Sequence, residues 1–141
     1  MATRQRDKTL QPNVTAQGKE GGFMAGRRHQ DIFAADIEWR DGSREGIKYT
    51  RFELNPGKKD APSVVMTKFQ PGVEVAPHSH GSNYMEFILE GELTLGKVTY
   101  RQGDVRIVRG GVGYGPLTMG KEGCTVLIIF EDGSQSSQQL L

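Results

Sequence analysis

The chain has 141 residues, 35% of them hydrophobic, and a formal net charge of +1 at pH 7, which fits one domain with a modest core and gives no overall bias toward nucleic acid. No run approaches the ~18 apolar residues of a membrane helix, and residues 1–6 are polar and basic where a secretory signal would be apolar. We therefore expect a soluble, cytoplasmic protein with no membrane or nucleic-acid partner, and the single cysteine, Cys124, excludes an intrachain disulfide and a thiolate metal cluster.

The first predicted element is an N-terminal arm over residues 1–30. It carries six basic residues against two acidic ones, whereas the rest of the chain is mildly acidic. This composition predicts a flexible segment that is solvated or that packs on the acidic body of a partner subunit. His29 lies in this arm beside Arg27 and Arg28. We expect it to be a surface residue or, if the arm folds back over the domain, a third metal ligand or part of a lid.

Short β-like runs separated by turn residues follow the arm. In chain order they cover residues 37–39, 47–54, 63–70, 73–76, 84–89, 92–95, 98–100, 105–108 and 124–131. No segment longer than about ten residues has helical periodicity, and 19 glycines supply tight corners. The pattern predicts one all-β domain over residues 31–133, an antiparallel sandwich or barrel. Residues 134–141 are expected to form a polar C-terminal tail.

The strongest chemical signal is the pair His78 and His80. Residues i and i+2 of a β-strand face the same side, so a strand here presents two imidazoles to one face. Two neighbouring imidazoles suit two positions on one metal ion.

The surroundings of this pair resemble the two motifs of the cupin superfamily. The first motif is matched by Gly72, His78, His80 and Gly91, and the second by Gly103, Asp104, Arg109, Gly111 and Tyr114. The resemblance covers roughly residues 37–132. It implies a double-stranded β-helix, the jelly-roll cupin barrel, with a metal site that usually contains three histidines and one glutamate. Cupins span many chemistries, so the resemblance implies a fold more sharply than a function.

The chain departs from the family pattern at two ligand positions. Tyr84 stands where the family usually has its glutamate and Tyr114 where it has its last histidine. Glu86 lies two residues past Tyr84, on the same face of a regular strand, and a buried carboxylate needs a cation. That cation is either a metal, which makes a two-histidine, one-carboxylate site, or Arg106 or Arg109 on a neighbouring strand. The two tyrosines are either phenolate ligands or protonated donors to a substrate.

These residues support three functional hypotheses. The leading one is a metal-dependent oxidoreductase, a dioxygenase acting on a small carbonyl or phenolic compound. His78, His80 and Glu86 would hold Fe(II), Mn(II), Ni(II) or Zn(II), and Tyr84, Tyr114 and Glu86 are the candidate catalytic residues. The second is a metal-free isomerase or cyclase with a histidine–tyrosine acid/base pair, and the third a non-catalytic module that binds a metal or a small molecule.

The resemblance also implies a homodimer. Small cupins are usually dimers because a sandwich of this size leaves an apolar sheet face to cover. The interface is expected around Phe33, Ile37, Trp39 and the N-terminal arm.

Overall fold

The computed structural model describes residues 29–141, and this part of the chain is built from antiparallel β-strands. The strands are β1 (Arg40–Asp41), β2 (Ile47–Glu53), β3 (Ser63–Phe69), β4 (Glu74–Val75), β5 (His78–His80), β6 (Tyr84–Leu95), β7 (Val98–Arg101), β8 (Val105–Val108), β9 (Leu117–Phe130) and β10 (Gln138–Leu140). Short 3-10 turns at Ala34–Asp36 and Gly133–Gln135 are the only helical segments in the described residues, and neither of them is long enough to span a bilayer. The predicted all-β architecture is confirmed. The predictions for the N-terminal arm fall almost entirely on residues 1–28, outside the described part.

The main sheet has the strand order β1-β2-β3-β9-β6-β7, with β4 joined to β9 and β8 joined to β6. The two long strands, β6 and β9, pair with each other along most of their length. At the start of β6, Tyr84, Glu86 and Ile88 are buried while the residues between them are more exposed. This period of two shows that all three side chains face the interior, and Tyr84 and Glu86 share one face of the strand, as the sequence predicted.

Strand β6 replaces two strands that the sequence separated by a turn at Glu90 and Gly91. The pairing register with β9 shifts between Ile88 and Glu90 and again between Gly91 and Leu93. Gly91 has a φ of +71°, and a Cβ at this position would lie 2.0 Å from the carbonyl oxygen of Gly123. The glycine therefore allows the strand to bend over its partner through a bulge instead of ending there.

The core lies between the bent halves of β6 and β9. Its buried members are Val75, Ile88, Leu93, Leu117, Met119, Cys124 and Val126. Burial raises the pKa of the Cys124 thiol to about 12, so this cysteine is a protonated core residue.

The C-terminal segment differs most from its prediction. Instead of forming a tail outside the domain, it forms β10, which pairs with the histidine strand β5 in a second, two-stranded sheet. Gln138 lies opposite His80, and Leu140 lies opposite His78. The segment is held by backbone pairing, which its polar side chains do not reveal. The homodimer interface expected around Phe33, Ile37 and Trp39 stays a prediction.

Candidate functional site

The two histidines lie at the centre of the site because β5 is held on both sides. On one side it pairs with β10, and on the other His78 and Tyr114 exchange backbone hydrogen bonds of 2.9 and 3.0 Å. Both histidines are buried, with exposed fractions of 5% and 9%. Their ring centroids are 5.1 Å apart, as the i, i+2 spacing predicted.

Each imidazole is anchored through Nδ1. In His78 this nitrogen donates to the carbonyl oxygen of Ala76, and in His80 to that of Ser136, both over 2.8 Å. A carbonyl oxygen only accepts, so in both rings the proton lies on Nδ1 and the lone pair on Nε2. Burial lowers the pKa of both histidines. The site therefore presents two neutral imidazoles, each with its lone pair on Nε2.

The two tyrosines that replace the usual ligands both contact these rings. Tyr114 donates its hydroxyl to Nε2 of His78 over 3.0 Å, with ring centroids 4.7 Å apart. Tyr84 packs edge-on against His80 at 5.2 Å and lies 6.4 Å from the Tyr114 ring. Burial raises the pKa of Tyr114 to about 12 and raises that of Tyr84 further. The four rings thus form one cluster with two nitrogen acceptors and two neutral phenol donors.

The hydroxyl of Tyr84 is buried beside the Tyr114 phenol, which contributes to the shift of its pKa, and it makes no well-aligned hydrogen bond to any described residue. A buried polar group without a partner costs roughly 1–3 kcal/mol. A buried hydroxyl without a well-aligned partner is a candidate donor to an ordered water or to a ligand.

We expect Tyr84→Phe to stabilise the ligand-free protein by about 1–3 kcal/mol, because it removes that unpaired hydroxyl. Tyr114→Phe removes a formed hydrogen bond and should instead destabilise it by about 0.5–1.5 kcal/mol. Denaturant unfolding of the two variants measures both free energies. A destabilisation by Tyr84→Phe equal to that by Tyr114→Phe would show that the Tyr84 hydroxyl has a partner.

Glu86 is not available as a metal ligand. Its carboxylate accepts a hydrogen bond of 2.8 Å from Arg106, which lies directly opposite on β8, and the exposed fractions of the two side chains are only 5% and 8%. Burial raises the pKa of the Glu86 carboxyl, and the guanidinium opposes this shift. Among residues 29–141, no three His, Cys, Asp or Glu side chains are grouped as a metal ion would require. Of the cations that the sequence offered for Glu86, the structure pairs it with Arg106 and not with Arg109, and no carboxylate joins the two histidines in the described residues.

Arg106 links this ion pair to the ring cluster. Its guanidinium lies 4.8 Å from the ring centroid of Tyr114 and 5.2 Å from that of Tyr100. A cleft of about 440 Å³ is lined by Tyr100, Arg106, Val112 and Tyr114 among others, a volume within the roughly 300–1,000 Å³ of small-molecule sites. Tyr114 thus lies between this cleft and His78. A larger cleft of about 840 Å³ near the start of β2 contains none of the four cluster residues.

Sequence reasoning missed the two carbonyl anchors. Any residue type supplies a backbone carbonyl, so neither Ala76 nor Ser136 carries a signal in the sequence. His29 lies at the surface with its Nε2 3.8 Å from the Asp31 carboxylate, as expected of a surface residue.

Comparison with known proteins identifies the family. Residues 27–132, about three quarters of the chain, match the ChrR cupin-like domain family, whereas no curated protein matches the chain. Among solved structures, KdgF from Halomonas sp. is 16% identical with a TM-score of 0.60, over 74% of this chain and 94% of that one. The polyketide cyclase RemF from Streptomyces resistomycificus is 14% identical with a TM-score of 0.67, over 81% of this chain and 86% of that one.

A third similar structure is a mutant of the oxalate decarboxylase of Bacillus subtilis, 20% identical with a TM-score of 0.62. The match covers 76% of this chain but only 30% of the decarboxylase, so the chain corresponds to less than a third of that enzyme. Identities this low establish the jelly-roll fold and not an activity. With the family match over most of its length, the chain belongs to the ChrR cupin-like domain family.

Proposed function

We propose that this chain is a metal-dependent cupin enzyme in which His78 and His80 hold a divalent ion through their Nε2 atoms. The observation that carries the proposal is the anchoring of both Nδ1–H groups on backbone carbonyl oxygens. Metal-ligating histidines almost always donate their second ring N–H to a carbonyl, carboxylate or water, which fixes the tautomer and directs the lone pair to the metal.

The donor set fits an ion that accepts nitrogen and oxygen. Two neutral imidazoles suit iron, manganese, nickel or zinc, and the other positions of the ion would be left to oxygen atoms of water or substrate. Glu86 is left out of this set because Arg106 occupies its carboxylate. The oxalate decarboxylase that shares the fold has Mn(II) centers, which supports a metal in this barrel. When bound, such an ion acts as a Lewis acid and a template for an oxygen-bearing substrate.

The remaining groups point to a small carbonyl or phenolic substrate. Tyr84 and Tyr114 are neutral donors that bind ketone, carboxylate or phenolate oxygens. Phe130 packs against both His80 and Tyr84 and makes that side of the cluster apolar. The 440 Å³ cleft beside Tyr114 is the proposed entrance for the substrate. The proposed reaction class is dioxygenation.

A turnover screen tests this proposal. Protein loaded with Fe(II), Mn(II), Ni(II) or Zn(II), one at a time, is given a panel of small phenols and carbonyl compounds, and oxygen uptake and product masses are followed. We expect turnover that requires the ion, is lost in His80→Ala and persists in Lys48→Met, a surface control whose partner is the exposed Asp41. Binding of panel compounds without turnover would identify a non-catalytic binding module instead.

A second function, acid/base catalysis without a metal, is favoured by the hydrogen bond of 3.0 Å between Tyr114 and Nε2 of His78. In that pair the imidazole accepts a proton and the phenol donates one, the two roles that an isomerase or cyclase needs. The same screen separates the two functions. Turnover by chelator-treated protein that is lost in Tyr114→Phe would establish the acid/base enzyme and overturn the metal-dependent one.

A further inference from the structure

The anchors of the two histidines differ in origin. His78 is anchored by Ala76, two residues before it in the chain. His80 is anchored by Ser136, 56 residues away, in the segment that leads into β10. The orientation of His80 therefore depends on what holds residues 133–136 in place.

That segment is held by Arg51 on β2. The guanidinium donates to the Ser136 hydroxyl over 2.7 Å and to the Gly133 carbonyl oxygen over 2.8 Å. It also donates to the Ser63 hydroxyl over 3.0 Å and to Glu53, and Ser63 in turn donates to Glu53 over 2.6 Å. The hydrogen bonds of the planar Arg51 guanidinium thus join β2 and β3 to the C-terminal segment.

The space around this segment leaves little room for movement. A Cβ on Gly133 would lie 2.1 Å from the Ser63 hydroxyl oxygen, and the Gly133 amide donates to the Ala61 carbonyl oxygen over 2.9 Å. Next to the histidines, the Ser82 amide donates to the Gln135 carbonyl oxygen over 3.0 Å. A continuous chain of contacts therefore runs from Arg51 through Ser136 to His80.

We propose that Arg51 is a positioning residue for the site: by holding residues 133–136 it places the Ser136 carbonyl where it fixes the proton of His80 on Nδ1. The consequence for metal binding rests on the proposed function, whereas the effect on the His80 ring does not. Outer partners of metal-ligating histidines typically change metal affinity by about 10–100-fold.

The test uses the full chain without metal and follows both histidine rings by two-bond ¹H–¹⁵N NMR, which reports the tautomer of each imidazole. In Arg51→Met we expect His80 to become a mixture of tautomers, because its acceptor is displaced, while His78 keeps its proton on Nδ1. Lys48→Met, on the same strand but at the surface, should leave both rings unchanged. Zinc titration of the same proteins should give about 10–100-fold weaker binding in Arg51→Met alone.

An unchanged His80 tautomer in folded Arg51→Met would overturn the proposal. An equal change in the His78 and His80 rings would also overturn it, because it would indicate that the whole site had loosened. Ser136→Ala provides the second variant if Arg51→Met does not fold. It keeps the carbonyl that His80 uses and removes the hydroxyl that accepts from Arg51 and donates to the Gly133 carbonyl over 3.0 Å. A smaller shift confined to His80 is expected, and its absence would contradict the proposal. Because the tautomer is read in metal-free protein, a failure to bind zinc counts against the proposed function and not against Arg51.

Discussion

Replacing Arg106 with methionine is expected to lower the free energy of unfolding by about 3–5 kcal/mol at pH 7. The substitution leaves the Glu86 carboxylate buried without its cation, 2.8 Å from where the guanidinium stood. Denaturant unfolding measures the loss. Arg109→Met, three residues further along and exposed, is the matched control and should change stability by less than about 0.5 kcal/mol.

The stability of Arg106→Met is also expected to change with pH in a definite direction. In Arg106→Met, burial keeps the folded-state pKa of Glu86 above its unfolded value, so the folded state binds the proton more tightly. The stability of Arg106→Met relative to wild type is therefore recovered as the pH falls toward the pKa that Glu86 has in the unfolded state. It is lost as the pH rises through the pKa that Glu86 has in the folded state. The double variant Glu86→Gln/Arg106→Met should be milder than Arg106→Met, since no unpaired charge remains. A double variant as unstable as the single one would show that packing, not the buried charge, causes the loss.

Much of the site follows from the period of two in a strand. That period places His78 beside His80 and puts Tyr84 and Glu86 on one face, as predicted, whereas only the structure shows that this face points inward. The choice between Arg106 and Arg109 as partner of Glu86 depended on the pairing register of β6 and β8. Glu86 lies opposite Arg106, whereas β8 ends at Val108, before Arg109. Register is a tertiary property that one strand's sequence does not contain.

The C-terminal strand illustrates the other limit. Sequence reasoning uses side-chain polarity, and residues 134–141 begin with six consecutive polar positions, three serines and three glutamines. The segment is held by backbone pairing with β5 and by hydrogen bonds from the Arg51 guanidinium. Neither interaction produces a periodic pattern in the sequence. As a result, the anchor of His80 lay in the part of the described chain that the sequence assigned to a tail.

The second large effect concerns metal affinity. His78→Ala and His80→Ala should each weaken binding of zinc or manganese by more than about 100-fold, because each removes a ligand and not merely an outer partner. Chelator competition measures the affinities. Glu86→Gln/Arg106→Met is the informative control and should stay within a few-fold of wild type, since the ion pair is not among the proposed ligands. A loss in this control as large as in the histidine variants would return Glu86 to the ligand set.

The most direct test of the central claim, that His78 and His80 hold a metal ion, is elemental mass spectrometry of untagged protein as purified. We expect a near-stoichiometric amount of iron, manganese, nickel or zinc in wild type and its disappearance in His78→Ala/His80→Ala. Wild-type protein that stays metal-free after reconstitution with each of the four ions would contradict it, and the Tyr114–His78 pair would then be the working part of the site.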